Sequence, residues 1–283
     1  THPTDAVFWY DDPYKNCRVL LLTDFKSYAA DTITTHKVRS ALKSLAITIE
    51  CAKTSQEWRD RYLTEPDKPF EVRGLLFVHN HDHKAENQFH KSVAEVNQST
   101  LPLQAGQYLH LIGPEEIKLL YTIGRDIQDL IVKKQLTKKY SFFYPDLVRV
   151  RRWGALIGQP GTIEALLAPY FVLIDKKGTT QNYVVYCNRA YKRDEDYEYL
   201  LDSMSRFRML EEGSTVQLRM LAPNLESDAE SRFLRAKERY GARWGLGPER
   251  KQGMADISMK RVVGMVPNVT AAATGWREHE DVE

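Results

Sequence analysis

The chain has 283 residues, 42% of them hydrophobic and 28% charged, with a formal net charge of +2. That composition can bury a core, which excludes a disordered or fibrous chain, and the length admits one large domain or two ordinary ones. No apolar run approaches the roughly 20 residues of a membrane span, and three widely spaced cysteines, Cys17, Cys51 and Cys187, supply neither a disulfide framework nor a cysteine zinc site, so a reducing, cytoplasmic setting is expected.

Residues 6–10 and 18–23 are β-rich runs around a polar, proline-containing turn and predict an antiparallel hairpin. The second run is apolar at nearly every position, as a central strand covered on both faces would be. Residues 31–46 carry Val38, Ala41, Leu42 and Leu45 at helical spacing, and 47–51 fit either helix or strand. Thr54 with Glu57 three residues on is a capping-box signature opening a helix through Tyr62. Beyond Pro66 and Pro69, residues 72–79 and 108–112 read as strands. Gly113 and Pro114 then start a long helix to about residue 134, with Ile117, Leu120, Ile123, Ile127 and Leu130 on one face.

Strands alternating with helices predict an α/β domain over residues 1–154. A Gly- and Pro-containing stretch, 154–169, reads as a linker. Strands follow at 170–175 and 181–187, then a helix at 194–210, a strand at 215–220, a basic helix at 228–240 and a strand at 257–266. This ββαβαβ order predicts a smaller α+β, ferredoxin-like domain over 155–270, with a polar tail at 271–283.

The chemistry concentrates at the open end of the hairpin. Folding about Tyr14 and Lys15 sets Asp5 opposite Asp24 within one residue of register, with Cβ atoms about 5 Å apart. Lys26 leaves its strand on the same face as Asp24. Two facing carboxylates repel and call for positive charge. Lys26 supplies one unit, and a divalent ion would supply the rest, Mg2+ or Mn2+ by the hardness of the oxygen donors. The alternative is that Asp5 caps a strand and that Asp24 and Lys26 form a surface ion pair.

Pro3-Thr4-Asp5, an 18-residue gap and Asp24-Phe25-Lys26 resemble the PD-(D/E)XK signature of the restriction-endonuclease-like nuclease superfamily. The resemblance covers residues 1–112 at most. It implies a restriction-endonuclease-like mixed sheet flanked by helices, built on an αβββαβ core. It also implies that Asp5 and Asp24 are metal ligands and that Lys26 orients the attacking water. In the family a helix and a first strand precede the strand carrying Asp5; with the chain opening at Thr1, both are expected to be missing from it. The implied activity is Mg2+-dependent hydrolysis of phosphodiester bonds in DNA, in bacterial antiphage defence or restriction. A catalytically inactive nucleic-acid-binding or assembly subunit is the alternative.

Two further groups bear on the reading. His79-Asn80-His81-Asp82-His83 follows the 72–79 strand. In the implied fold that strand is a parallel neighbour of the one carrying Asp24, so Asn80, His81 or Asp82 would line the cleft; the alternative is an ordinary polar loop. Lys138, Lys139, Arg149, Arg151 and Arg152 lie among Tyr140, Phe142, Phe143, Tyr144 and Trp153, a combination able to grip phosphates and stack bases. Arg232, Arg235, Lys237, Arg239 and Arg243 form a second basic group, and either is otherwise a solvated face. The expected partners are DNA and a partner subunit or second copy, with no membrane. No Walker sequence, GxSxG or HExxH occurs.

Overall fold

A computed structural model describes the chain apart from residues 1–3, 66, 85–86, 148–151, 153–156, 179, 222–224, 245–252 and 264–283. Strands β1 (Ala6–Asp11) and β2 (Arg18–Tyr28) form the expected hairpin, in register from Ala6 opposite Thr23 to Asp11 opposite Arg18. Helix α1 (Thr35–Thr54) crosses to β3 (Phe70–Asn80), which pairs in parallel with the whole of β2. A second crossover, containing α3 (Gln88–Ala94), reaches β4 (Leu109–Ile112), again in parallel. The order is β1-β2-β3-β4.

Between α1 and β3 lies α2 (Gln56–Tyr62). Its cap is Ser55, whose hydroxyl accepts from Trp58 N at 3.2 Å, one residue beyond the Thr54 that spacing predicts. The Thr54 hydroxyl instead donates back to the carbonyls of Glu50 and Cys51, closing the last turn of α1.

Both faces of this sheet are covered. On one, Leu22, Val72, Leu76 and Val78 pack against Val38, Leu42, Leu45 and Ile49 of α1 and Phe89 of α3. On the other, Val19, Leu21 and Leu75 meet Ile117 and Leu120 of helix α4 (Pro114–Val132). The remaining half of α4 serves a second sheet, where Ile123, Ile127 and Leu130 pack on Phe171, Leu173, Val184 and Tyr186. Each large apolar side chain so buried contributes about 1.5–3 kcal/mol, so α4 is a structural partner of both sheets.

The second sheet runs β5 (Ser141–Phe142), β6 (Tyr170–Lys177), β7 (Thr180–Cys187), β8 (Ser214–Met220), β9 (Ser258–Arg261). Short α5 (Ile163–Leu166) precedes β6; α6 (Asp194–Arg206) and α7 (Ala229–Trp244) are the crossovers. β6 is antiparallel to both its neighbours, β5 and β7, and β7, β8 and β9 are parallel. This is not the ferredoxin-like arrangement expected, in which a split βαβ inserts a strand between parallel neighbours. Each helical crossover here lands on the adjacent strand, a connection that parallel pairing requires. The sheet also begins before residue 154, since Ser141 and Phe142 already pair with Ile174 and Leu173. The tail at 271–283 lies outside the described residues. Among the described residues no helix is long and apolar enough to cross a membrane.

Arg219 of β8 anchors α4 to this sheet. It donates from Nε at 2.9 Å and from Nη2 to the Asp126 carboxylate, which also accepts the Tyr186 hydroxyl at 2.8 Å.

Candidate active site

Asp5 lies just ahead of β1, where its N–H donates to the Thr23 carbonyl at 3.1 Å and its Oδ2 accepts from Phe25 N at 2.8 Å. These bonds carry the hairpin ladder one rung past Ala6 and Thr23 and turn the Asp5 carboxylate toward Asp24. Lys26, two residues along the same face of β2, donates from Nζ to Asp24 Oδ1. The Asp24 side chain is 19% exposed and that of Lys26 35%, so the pair is half-sunk at the end of an otherwise buried strand. Burial first, and then the facing Asp5 carboxyl, push the Asp24 acid above the usual carboxylate range, against the pull of the Lys26 ammonium.

The structure thus brings Asp5, Asp24 and Lys26 together. Two carboxylates against one ammonium leave a negative charge uncompensated in a partly desolvated place. Their hard oxygens fit Mg2+ or Mn2+. Among the described residues no group of three or more His, Cys, Asp or Glu side chains could enclose a metal. Two carboxylates alone suit an ion whose remaining positions go to water and substrate oxygens.

The same alternation extends the site to Tyr28, which the sequence reading passed over. Its phenol is pushed up by burial and also feels Lys26 and Asp24. Lys37, in the first turn of α1, sits 5.4 Å from the centroid of the Tyr28 ring. Thr4, next to Asp5, lines a groove of about 670 Å3 together with Thr48, Cys51, Ser55, Glu57 and Arg61.

The C-terminal ends of β2 and β3 lie side by side, with Lys26 opposite Val78 and Tyr28 opposite Asn80. The polar residues there take different roles. Asn80 is buried, and its Nδ2 donates to the Tyr28 carbonyl at 3.0 Å and to Asp82 Oδ1 at 2.6 Å. Asp82 accepts from Ala30 N through both oxygens, at 3.1 and 3.2 Å. These two side chains therefore fix the path of the chain as it leaves β2. His81 bonds Ser27 Oγ through Nδ1 at 3.2 Å, on the sheet face opposite Lys26, where Phe25 also stacks on Phe77.

Of the basic residues, Lys138 and Lys139 are exposed just past the end of α4 that packs on the second sheet. Arg152 donates from Nη1 to the Tyr144 carbonyl at 3.0 Å, and Arg149 and Arg151 lie outside the described residues. The structure does not bring Lys138 and Lys139 to the carboxylate pair. The second basic group is largely spent inside its own lobe: Arg235 and Arg239 pair with Asp194, and Arg243 with Glu198, tying α7 to α6.

Comparison with known proteins bears on the same residues. Residues 1–116 match the family model described as the GAPS4 protein PD-(D/E)XK nuclease domain, from a family of defence-system nucleases. No significant match was found among curated proteins or among solved structures. The matched region ends in the first turns of α4, so it takes in the whole first sheet, the carboxylate pair and Lys26.

Proposed function

We propose, from a PD-(D/E)XK nuclease domain at residues 1–116, that the protein is a Mg2+-dependent endonuclease that hydrolyses phosphodiester bonds in DNA as part of bacterial defence against phage. The observation that carries this reading is the convergence of Asp5, Asp24 and Lys26 at the open end of one hairpin. Asp5 and Asp24 would hold the ion. When bound it supplies Lewis acidity toward the scissile phosphate.

The chain's own residues account for the remainder. The Phe25 N–H and the Thr23 carbonyl hold Asp5 across the hairpin, so the two carboxylates meet the substrate from a rigid strand pair rather than a loop. Lys26 uses one N–H on Asp24 and has two left for a nonbridging phosphate oxygen and the incoming water. Its fixed positive charge is aimed where negative charge builds in an in-line displacement, which is the most effective place for it. Tyr28 and Lys37 extend the cationic, hydrogen-bonding edge along the face that an extended strand of nucleic acid would follow.

The test is incubation of supercoiled, linear duplex and single-stranded DNA with the protein in Mg2+ and in EDTA, beside Asp24→Ala. Cleavage that needs Mg2+ and disappears in the variant is the expected result. Equal behaviour of both proteins on every substrate, with or without the ion, would refute the site and leave a binding or assembly subunit as the reading. The defence role is read by phage plating efficiency on cells carrying the wild type or Asp24→Ala within its native gene neighbourhood.

A further inference from the structure

The two sheets repeat one plan. In the first, the antiparallel hairpin β1–β2 is followed by a helical crossover to parallel β3 and a second to parallel β4, in the order β1-β2-β3-β4. In the second, the antiparallel hairpin β6–β7 is followed by α6 to parallel β8 and α7 to parallel β9, in the order β6-β7-β8-β9.

The layering repeats as well. α1 and α3 share the core on one face of the first sheet, and α6 and α7 share the core on one face of the second. The opposite faces both rest on α4, the first through Ile117 and Leu120, the second through Ile123, Ile127 and Leu130. With α4 and β5 included, and with the four-residue α5 as an insertion between β5 and β6, the second lobe reads helix, three antiparallel strands, helix, strand. That is the αβββαβ order which the nuclease resemblance implies, and it contains the helix and strand that stand ahead of the hairpin.

What differs is the open end of the hairpin. In the first lobe it presents Asp5, Asp24 and Lys26. In the second the last rung is Tyr170 opposite Cys187, and beyond it Asn188 N donates to the Pro169 carbonyl at 2.8 Å. Neither 168–171 nor 187–191 contains a carboxylate or a lysine, so shifting the alignment by a rung does not restore one. Asn188 brings only a neutral amide, whose Nδ2 is spent on the Ala168 carbonyl at 2.8 Å. Cys187 is fully buried, and nearby Tyr191 stacks on Tyr197 with centroids 5.2 Å apart, so packing fills the place of the ligands.

We infer that the chain is an internal tandem of two nuclease-type lobes on a shared helix, of which, among the described residues, only the first carries metal-holding carboxylates at its hairpin end, so that one chain breaks one strand of a duplex and a double-strand break takes a second copy of the chain. One metal site serves one scissile phosphate, and the two strands of a duplex each offer their own. The inference rests on the nuclease reading of the Asp5, Asp24 and Lys26 site.

Two readouts test it separately from that reading. The first is Mn2+ titration of the full chain with a short duplex present, for wild type, Asp24→Asn and Asp5→Asn, with circular dichroism to show that each variant is folded. The expected result is loss of all specific Mn2+ binding in either variant. Retention of half the wild-type stoichiometry would reveal a second site and overturn the tandem inference while leaving the nuclease reading intact, and no specific binding by wild type would overturn both. The second is the time course on supercoiled plasmid in Mg2+. The expected course is nicked circle formed at a rate first order in protein, followed by linear product with a steeper dependence on protein concentration. Linear product formed without a nicked intermediate, first order in protein, by a chain that sedimentation in the same buffer shows to be a monomer overturns the inference. Specific Mn2+ binding lost in Asp24→Asn, with no cleavage by wild type, overturns the nuclease reading and supports a single metal site.

Discussion

Replacing Asp126 by Ala should be among the most damaging single changes in the chain. The Arg219 and Asp126 side chains are each only 8% exposed, and Asp126 carries two bonds from the guanidinium and one from the Tyr186 hydroxyl. Removing the carboxylate strands a cation and a phenol in a low-dielectric place; breaking such a pair costs about 3–5 kcal/mol, out of a total stability of about 5–15 kcal/mol for an ordinary domain. At roughly 2–4 °C per kcal/mol for a chain of this size, the melting temperature should fall by roughly 6–20 °C. Because α4 serves both sheets, urea unfolding followed by far-ultraviolet circular dichroism should show both lobes weakened. A companion triple variant, Asp126→Leu with Arg219→Met and Tyr186→Phe, removes every group that needs the carboxylate and should recover most of the loss. An Asp126→Ala variant within about 1 kcal/mol of wild type would show that Asp126 does not hold a buried charge, since stranding one costs more than that, and a triple variant no better than the single would show the same.

Thiol labelling of the native protein with Ellman's reagent should consume one equivalent quickly, at exposed Cys51, and the other two only on unfolding, because Cys17 and Cys187 are buried and burial pushes the Cys187 thiol up to about 12. Three fast equivalents would mean that β7 is not the core strand described. Acid should destabilise the lobe interface. Glu71 is held low by its hydrogen bond from Arg73, and Glu164 is held low, despite the opposing effect of its burial, in part by Arg73 and the Tyr10 hydroxyl. Folded-state acids held below their unfolded values contribute stability above an unfolded carboxylate pKa of about 4.3 and lose it as pH falls through the folded values. The melting temperature should therefore stay level down to about pH 5 and drop in more acid solution, and Arg73→Met should flatten that drop. An unchanged acid limb in Arg73→Met would show that these carboxylates are not held by Arg73.

The hairpin and the meeting of Asp5, Asp24 and Lys26 at its open end were legible because both follow from counting. Positions 5 and 24 share a register sum with Ala6 and Thr23, and alternation puts Asp24 and Lys26 on one face. The same alternation contained Tyr28, which a reading centred on the short motif left out. Helix α3 was hidden because it is seven residues long, with Phe89 and Val93 as its anchors among polar neighbours. From β6 to β9 the elements run ββαβαβ, but element order does not state which strand each crossover lands beside, and so it does not distinguish the observed sheet from a ferredoxin-like one. The basic helix α7 has the composition of a nucleic-acid surface. Its arginines meet Asp194 and Glu198 some 40 residues away, a pairing that only the folded chain displays.

The central claim is that Asp5, Asp24 and Lys26 form one metal-dependent nuclease site, and the rate of plasmid cleavage in Mg2+ by Lys26→Ala and Asp24→Asn tests it most directly. Loss of a preorganised charge-stabilising group typically lowers turnover by about 10²–10³-fold, so both variants should fall at least that far while melting within a few degrees of wild type, as expected for side chains only partly buried at the end of a strand. Cleavage at the wild-type rate by either variant, with its fold intact, would contradict the account.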